Sequence, residues 1–184
     1  YLRQRGYESE TVRAFQLGFA PEGWESLAKH LAEKNFSNSD VQKAGLVRPG
    51  KQDRGDYDLF RNRLLFPIHD LQGQVVAFGG RVMDDSLPKY INSPETAVYN
   101  KSQTLYGLYQ ARDAMRHSGE ALVVEGYFDV LALHRAGFAG AVATCGTALT
   151  ADHARLLKRY ADQNFLLFVE DGAGRKATFR AMED

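Results

Sequence analysis

Between Glu120 and Asp184 short apolar runs alternate with helical patterns, and no other feature of the chain restricts its fold as much. Strands are predicted at 121–125, 140–144 and 165–169, with helices near 128–136, 151–161 and 173–183. Strand followed by helix, repeated in this way, argues for a parallel sheet joined by right-handed crossovers. In the first unit Ala121 to Val124 is apolar, Gly126 breaks the run, and Val130, Leu131 and Leu133 begin a helix. Glu125 then sits at the carboxyl end of a strand with Asp129 about one helical turn beyond, on the rim where open α/β sheets collect ligands.

That rim is acidic, because Glu125 follows the first predicted strand and Glu170-Asp171 the third. Asp in a first helical turn is favoured by the helix dipole, and Glu at a strand end is commonly solvated, so neither position alone demands chemistry. Carboxylates converging from separate strand ends repel one another unless a cation lies between them, and a hard divalent ion such as Mg²⁺ meets that need. Neither G-x-G-x-x-G after the first strand nor G-x-x-x-x-G-K-[ST] anywhere is present, which removes the two common phosphate-cradling loops. Phosphatases that attack through an Asp need it directly after the first strand, where this chain has Glu125.

A length of 184 residues suits one domain, or a compact domain with a smaller subdomain, and 44% hydrophobic with 25% charged residues describes a globular chain. Lys plus Arg and Asp plus Glu are equal at 23 each, so any surface for nucleic acid must be a local patch. The single cysteine, Cys145, lies in an apolar context; it excludes an internal disulfide and a multi-cysteine zinc site, reads as a small buried side chain, and fits a reducing, cytoplasmic setting. No apolar run approaches the length of a membrane span. The start without Met and the stop within a predicted helix suggest an excised piece of a larger protein.

Upstream, Ser9 reads as the N-cap of a short helix over 10–15, Gly23-Trp24 opens a second helix running to about Lys34, and Asp40 begins a third that ends at Ala44-Gly45. Together they form a supporting layer in which Trp24 is expected in the core rather than on a binding platform. The stretch 48–56 is a charged loop. A hairpin follows, with Leu64–His69 and Val75–Arg81 joined by a tight turn at Leu71-Gln72-Gly73-Gln74, which gathers Arg61, Arg63 and Arg81 at one end. Gly79-Gly80 lets backbone approach something bulky. The run 88–95 is too polar for a core strand, yet carries Lys89, Tyr90 and Asn92, with Lys101 shortly after. Such cations opposite an acidic rim suit phosphoryl transfer: they hold a triphosphate and a template backbone while the metal neutralises charge.

Glu125-Gly126-Tyr127-Phe128-Asp129-Val130, Gly146-Thr147-Ala148-Leu149-Thr150 and Asp171-Gly172-Ala173-Gly174-Arg175-Lys176 resemble the Toprim module of bacterial DnaG-type primases. The resemblance extends through Phe60-Arg61-Asn62-Arg63, Phe78-Gly79-Gly80-Arg81, Pro88-Lys89-Tyr90-Ile91-Asn92-Ser93-Pro94-Glu95 and Leu105-Tyr106-Gly107-Leu108, and covers essentially the whole chain. It implies a mixed α/β fold, a Toprim parallel sheet with flanking helices over 119–184 preceded by a smaller α/β subdomain over 1–118. It implies an RNA polymerase core that makes short RNA primers on single-stranded DNA from ribonucleoside triphosphates during replication. Glu125, Asp129 and Asp171 would be catalytic and hold Mg²⁺ or Mn²⁺; Arg61, Arg63, Arg81, Lys89, Tyr90, Asn92, Lys101 and Gly126 would handle nucleotide and template, with the arginines on one concave side. A zinc-binding domain, a helicase-binding domain and the partners of the primosome, the replicative helicase and single-strand-binding protein, belong by resemblance to the full-length protein. The rival readings are a single-stranded DNA-binding module that has lost catalysis and, less favoured, a Toprim nuclease or topoisomerase.

The chain departs from the family at Val169-Glu170-Asp171, where a Toprim strand ends in Asp-x-Asp. Val169 and Asp171 share a face of an extended segment while Glu170 points away, so weakened metal binding and reduced or absent polymerisation are expected. Arg175 and Lys176, at the start of a predicted helix, suit an anion. His153 reads as a capping or exposed residue, and His69 as structural rather than a contact to template phosphate.

Overall fold

The computed structural model describes residues 1–50 and 55–168. Val169-Glu170-Asp171, the helix expected near 173–183 with Arg175 and Lys176, and part of the loop at 48–56 lie outside the described residues. In chain order the elements are α1 (Ser9–Ala14), β1 (Gly18–Ala20), α2 (Ser26–Glu33), α3 (Asn38–Lys43), β2 (Val47–Arg48), β3 (Tyr57–Asp58), β4 (Arg63–His69), β5 (Val75–Val82) and β6 (Tyr90–Asn92). These are followed by β7 (Leu105–Tyr106), α4 (Leu108–Ser118), β8 (Glu120–Val124), α5 (Tyr127–Arg135), β9 (Ala141–Thr144), α6 (Ala151–Leu157) and β10 (Gln163–Leu167).

The C-terminal elements form the expected parallel sheet. Its order is β10-β8-β9-β7, with β8 parallel to both β10 and β9, and β7 antiparallel along β9. The central strands Ala121–Val124 and Ala141–Thr144 are apolar and covered on both faces, as parallel strands require. Val124 and Ala143 face a core shared with α5, whereas Val123 and Val142 face a second core under α4 and α6. The N-terminal half carries an antiparallel sheet, β1-β4-β5-β6, whose β4–β5 hairpin is closed where Asp70 Oδ1 accepts the amides of Gln72 and Gln74 at 2.9 and 2.8 Å. The residues at 90–92 avoid the core yet pair with β5 at the sheet edge, a position that tolerates polar side chains and a neighbouring proline. Among the described residues no helix is long and apolar enough to cross a membrane.

Several local expectations are corrected. Glu8, not Ser9, is the N-cap of α1. Ser37 caps α3, so that helix begins before Asp40. Helix α2 begins at Ser26, after Trp24, because its N-terminus is held by a distant carboxylate: Asp58 Oδ2 and Oδ1 accept the amides of Leu27 and Ala28 at 2.7 and 3.0 Å. Trp24 is not core but 64% exposed. Helix α4 was not expected, although Leu108, Ala111 and Met115 form a buried stripe at helical spacing between left-handed glycines at 107 and 119.

Candidate active site and nucleic-acid interface

The acidic turn is built as the sequence implies. Strand β8 ends at Val124, Glu125 follows exposed to solvent, and Gly126 is the N-cap of α5, placing Asp129 in the first helical turn. The Asp129 carboxylate folds back over the cap: a Cβ on Gly126 would lie 3.0 Å from its Oδ2. A side chain at that position would press the exposed Asp129 carboxylate aside by a few tenths of an ångström. Among the described residues neither Glu125 nor Asp129 has an ion pair or side-chain hydrogen bond, and no group of three or more metal-ligating side chains assembles. Two unpartnered, solvent-facing carboxylates nevertheless suit Mg²⁺, which commonly takes one or two and keeps water and phosphate for the rest of its shell. Asp171 lies outside the described residues.

A residue absent from the expected site joins this turn to the cationic segment. Tyr127 is buried, its ring stacked on Phe66 at 4.9 Å and edge-on to Tyr106 at 4.7 Å. Its hydroxyl donates to Asn92 Oδ1 at 2.7 Å, and Asn92 Nδ2 donates to the Cys145 carbonyl at 3.1 Å, just beyond β9. Both polar ends of Asn92 are therefore occupied by the parallel-sheet half. Glycines clear the way on either side: a Cβ on Gly79 would lie 2.3 Å from Tyr127 Cζ, and one on Gly146, at φ +77°, 2.4 Å from Asn92 Nδ2. The bulky neighbour that Gly79-Gly80 foreshadowed is the Tyr127 ring, together with Phe60 against Gly80.

The cations are distributed differently from expectation. The register pairs Arg63 with Val82 and Leu64 with Arg81, and neighbouring residues alternate faces, so Arg63 and Arg81 lie on opposite faces of the hairpin rather than on one concave side. Each is 8% exposed. Arg63 donates to the carbonyls of Pro88 at 2.9 Å and of Gly80 and Lys89 at 3.4 Å, which ties down the loop bearing Lys89. Burial, and then the Arg61 charge, press the Arg63 guanidinium below its ordinary range. Arg81 points toward α5, donates to the Val82 carbonyl at 2.8 Å and to the Tyr1 hydroxyl, and lies between 5.4 and 5.7 Å from the rings of Tyr1, Phe128 and Tyr90. Arg5 stands 5.0 Å over Phe128, the neighbour of Asp129. Tyr90 is exposed at the edge of β6, with its ring 6.2 Å from that of Tyr127. Lys89 is exposed, and Lys101 is half-buried with its backbone pinned by Glu95 at 3.1 Å and by His153 Nε2 at 2.9 Å. Burial pushes the Cys145 thiol, at the carboxyl end of β9, up to about 11.

Two histidines are placed in the interior. His153 is fully buried: its Nδ1 accepts the Thr150 amide at 3.2 Å while Thr150 Oγ1 accepts the His153 amide at 3.2 Å, a reciprocal cap, so its capping role stands and exposure does not. His69 is 5% exposed and stacks with Tyr109 at 5.8 Å, which leaves it no access to a template phosphate.

With this geometry in view, the chain can be set beside known proteins. Residues 1–112 match the family described as DNA primase catalytic core, N-terminal domain, and residues 119–184 match the Toprim domain. The DNA primases of Deinococcus radiodurans and Pseudomonas aeruginosa are 50% and 49% identical over all of this chain, which covers 32% and 28% of their lengths. The chain thus spans about a third of the curated relatives it matches. The solved E. coli primase catalytic core superposes with a TM-score of 0.93 at 43% identity, over 100% of this chain and 58% of that one. A DnaG primase catalytic domain solved bound to single-stranded DNA gives 0.92 at 42%, over 100% of this chain and 57% of that one. An acidic strand-end turn clasped to a Lys-Tyr-x-Asn edge strand, in a chain matched from end to end, has one conclusion: the chain belongs to the DNA primase catalytic-core family.

Proposed function

We propose that this chain is the RNA polymerase core of a primase, divided near residues 118 and 119, which makes short RNA primers on single-stranded DNA from ribonucleoside triphosphates in cytoplasmic replication. The observation that carries the reading is the Tyr127–Asn92–Cys145 connection, which joins the Glu125–Asp129 turn to the strand bearing Lys89 and Tyr90. Relatives named DNA primase, and one solved with single-stranded DNA, support the substrate class. The replicative helicase and single-strand-binding protein are the proposed partners of the full-length protein.

In this reading Glu125 and Asp129, joined by Asp171, hold Mg²⁺ or Mn²⁺. When bound, the metal supplies charge neutralisation at the transferring phosphate and acidifies the attacking hydroxyl. The chain's own groups do the positioning. Lys89 and Lys101 attract the triphosphate and template phosphates, Tyr90 offers an aromatic face beside them, and Arg63 keeps the Lys89 loop in place through backbone carbonyls. Arg81 supplies buried positive charge against Phe128 rather than an exposed contact. Gly126 is the N-cap of α5, with the Asp129 carboxylate close over it.

The test is incorporation of labelled ribonucleotides on a single-stranded template, with Mg²⁺ and then Mn²⁺, by this chain and by the full-length protein. Incorporation lost in Glu125→Gln supports the polymerase. Salt-sensitive DNA binding with no incorporation under either metal would replace it by a binding module.

A further inference from the structure

The segment that begins with Lys101 is gripped at every residue by the N-terminal end of α6. His153 Nε2 donates to the Lys101 carbonyl at 2.9 Å and to the Thr104 carbonyl at 3.2 Å. Thr150 Oγ1 donates to the Ser102 carbonyl at 2.7 Å, and Gln103 Nε2 donates to Asp152 Oδ2 at 3.1 Å. The other ring nitrogen of His153 is also used, because Nδ1 accepts the Thr150 amide at 3.2 Å. An amide facing Nδ1 and two carbonyls facing Nε2 leave only the neutral ring protonated at Nε2, and burial favours that form by lowering its pKa. The gripped segment lies on the acidic rim. Leu105, which follows it, pairs with Thr144 at the end of β9, and β9 runs parallel to β8, the strand that ends just before Glu125. From the opposite side Glu95 Oε1 accepts the Lys101 amide at 3.1 Å. Both backbone groups of Lys101 are therefore fixed, while its half-buried side chain has no ion pair among the described residues.

We propose that His153 is a positioning residue for nucleotide binding: by fixing the Lys101 backbone it sets where that ammonium meets the phosphates of an incoming ribonucleoside triphosphate. The assignment rests on the primase reading for the role of Lys101, and adds to it a residue that is itself fully buried and out of a nucleotide's reach. Lysine is a point charge on a flexible stem, so its aim depends on where its backbone is anchored, and small displacements of a positioning group are costly. The turn has few anchors of its own. Strand β7, into which it leads, is two residues long. Within the turn Asn100 Oδ1 accepts the Ser102 amide at 3.0 Å and the Asn100 carbonyl accepts Thr104 Oγ1 at 2.8 Å, bonds that shape the turn without tying it to the helix layer. The His153 ring supplies that tie. Its two nitrogens lie on opposite sides of the imidazole, so one side chain caps α6 and holds Lys101 at once.

The two nitrogens can be removed separately. His153→Gln places an amide donor near the position of Nε2 and keeps the bond to the Lys101 carbonyl, whereas His153→Asn reaches only as far as Nδ1, keeps the acceptor for Thr150 and frees the turn. Displacement of a fluorescent ATP analogue by ATP with Mg²⁺, followed by anisotropy, reads affinity without turnover. Lys101→Ala should weaken ATP binding about tenfold, the loss of one charge-assisted contact, with His153→Asn losing about fivefold and His153→Gln less than about twofold. Urea midpoints should fall in both histidine variants. In a Lys101→Ala background His153→Asn should cost no further affinity, because the histidine acts through the lysine. Should His153→Asn fail to fold, Thr150→Val takes its place: it keeps the side-chain shape, drops the Ser102 bond and should weaken ATP binding, with Thr150→Ser at the wild-type value. Unchanged ATP affinity in the folded variant, equal losses in His153→Asn and His153→Gln, or a loss that persists in full without Lys101 overturns the positioning role. Failure of the wild-type chain and the full-length protein alike to bind ATP with Mg²⁺ or Mn²⁺ overturns the primase reading itself, a distinct result.

Discussion

Replacing Asn92 with Ala tests whether the two halves are joined where the structure joins them. The substitution removes the bond from Nδ2 to the Cys145 carbonyl, worth about 1 kcal/mol. It also strands the Tyr127 hydroxyl, which is enclosed by Phe66 and Tyr106 and whose burial raises its pKa well above the ordinary range, so it remains a neutral donor. An unsatisfied buried donor costs about 1–3 kcal/mol, for a sum of about 2–4 kcal/mol. Against a native stability of about 5–15 kcal/mol the change is large. Urea unfolding should show a lower midpoint with an unchanged slope. Tyr127→Phe alone should cost about 1 kcal/mol, because half-buried Asn92 can turn its oxygen to water. In the double variant the stranded hydroxyl disappears, so a cycle should return a coupling of about 1–2 kcal/mol. A coupling below about 0.5 kcal/mol would refute the connection, and with it the argument that the acidic turn and the Lys-Tyr-x-Asn strand are fixed against each other.

Gly79→Ala places a methyl 2.3 Å from the rigid Tyr127 ring and should destabilise by about 1–3 kcal/mol in the same unfolding assay. Arg63→Lys loses the fork that binds three carbonyls and should speed tryptic cleavage after Lys89 without disturbing the parallel sheet. His153, His69 and His134 are all shifted below 6.5, chiefly by burial, and the Nδ1 of His153 is already an acceptor. The unfolded chain therefore binds more protons, so the stability these residues lend is complete above about pH 6.5 and is lost as pH falls through their folded values. The urea midpoint should drop from pH 7.5 to 5.5, and less steeply in His153→Gln. Val169→Asp, restoring the family's Asp-x-Asp, should lower the Mg²⁺ concentration needed for half-maximal incorporation.

The parallel sheet, the hairpin and the acidic turn were legible because each rests on local physics: apolar runs ended by glycine, a tight turn between alternating strands, a helix opening after Gly126. Local pattern also supplied Cys145 as a buried residue and Gly79-Gly80 as a place of close approach, though not the identity of what approaches. The errors occurred where the deciding partner is remote. The local pattern puts Trp24 inside its helix and hence in the core; the carboxylate that fixes the start of α2 at Ser26 is Asp58, some thirty residues away, and the ring is left outside. His153 does cap α6, and only its exposure is wrong, because helical spacing cannot report that Lys101 and Thr104 close over its other nitrogen.

By itself the sequence determined which residues carry charge at the strand ends, which face of each element is apolar, and to which family the ordered motifs belong. Only the tertiary structure decided how those charges are used. Strand register sends Arg63 and Arg81 to opposite faces, and the meeting of two sheets makes Tyr127 and Asn92 a joint. Side-chain direction within one element follows from a period of two or 3.6 residues, but which two elements meet depends on the lowest free energy of the whole packed chain.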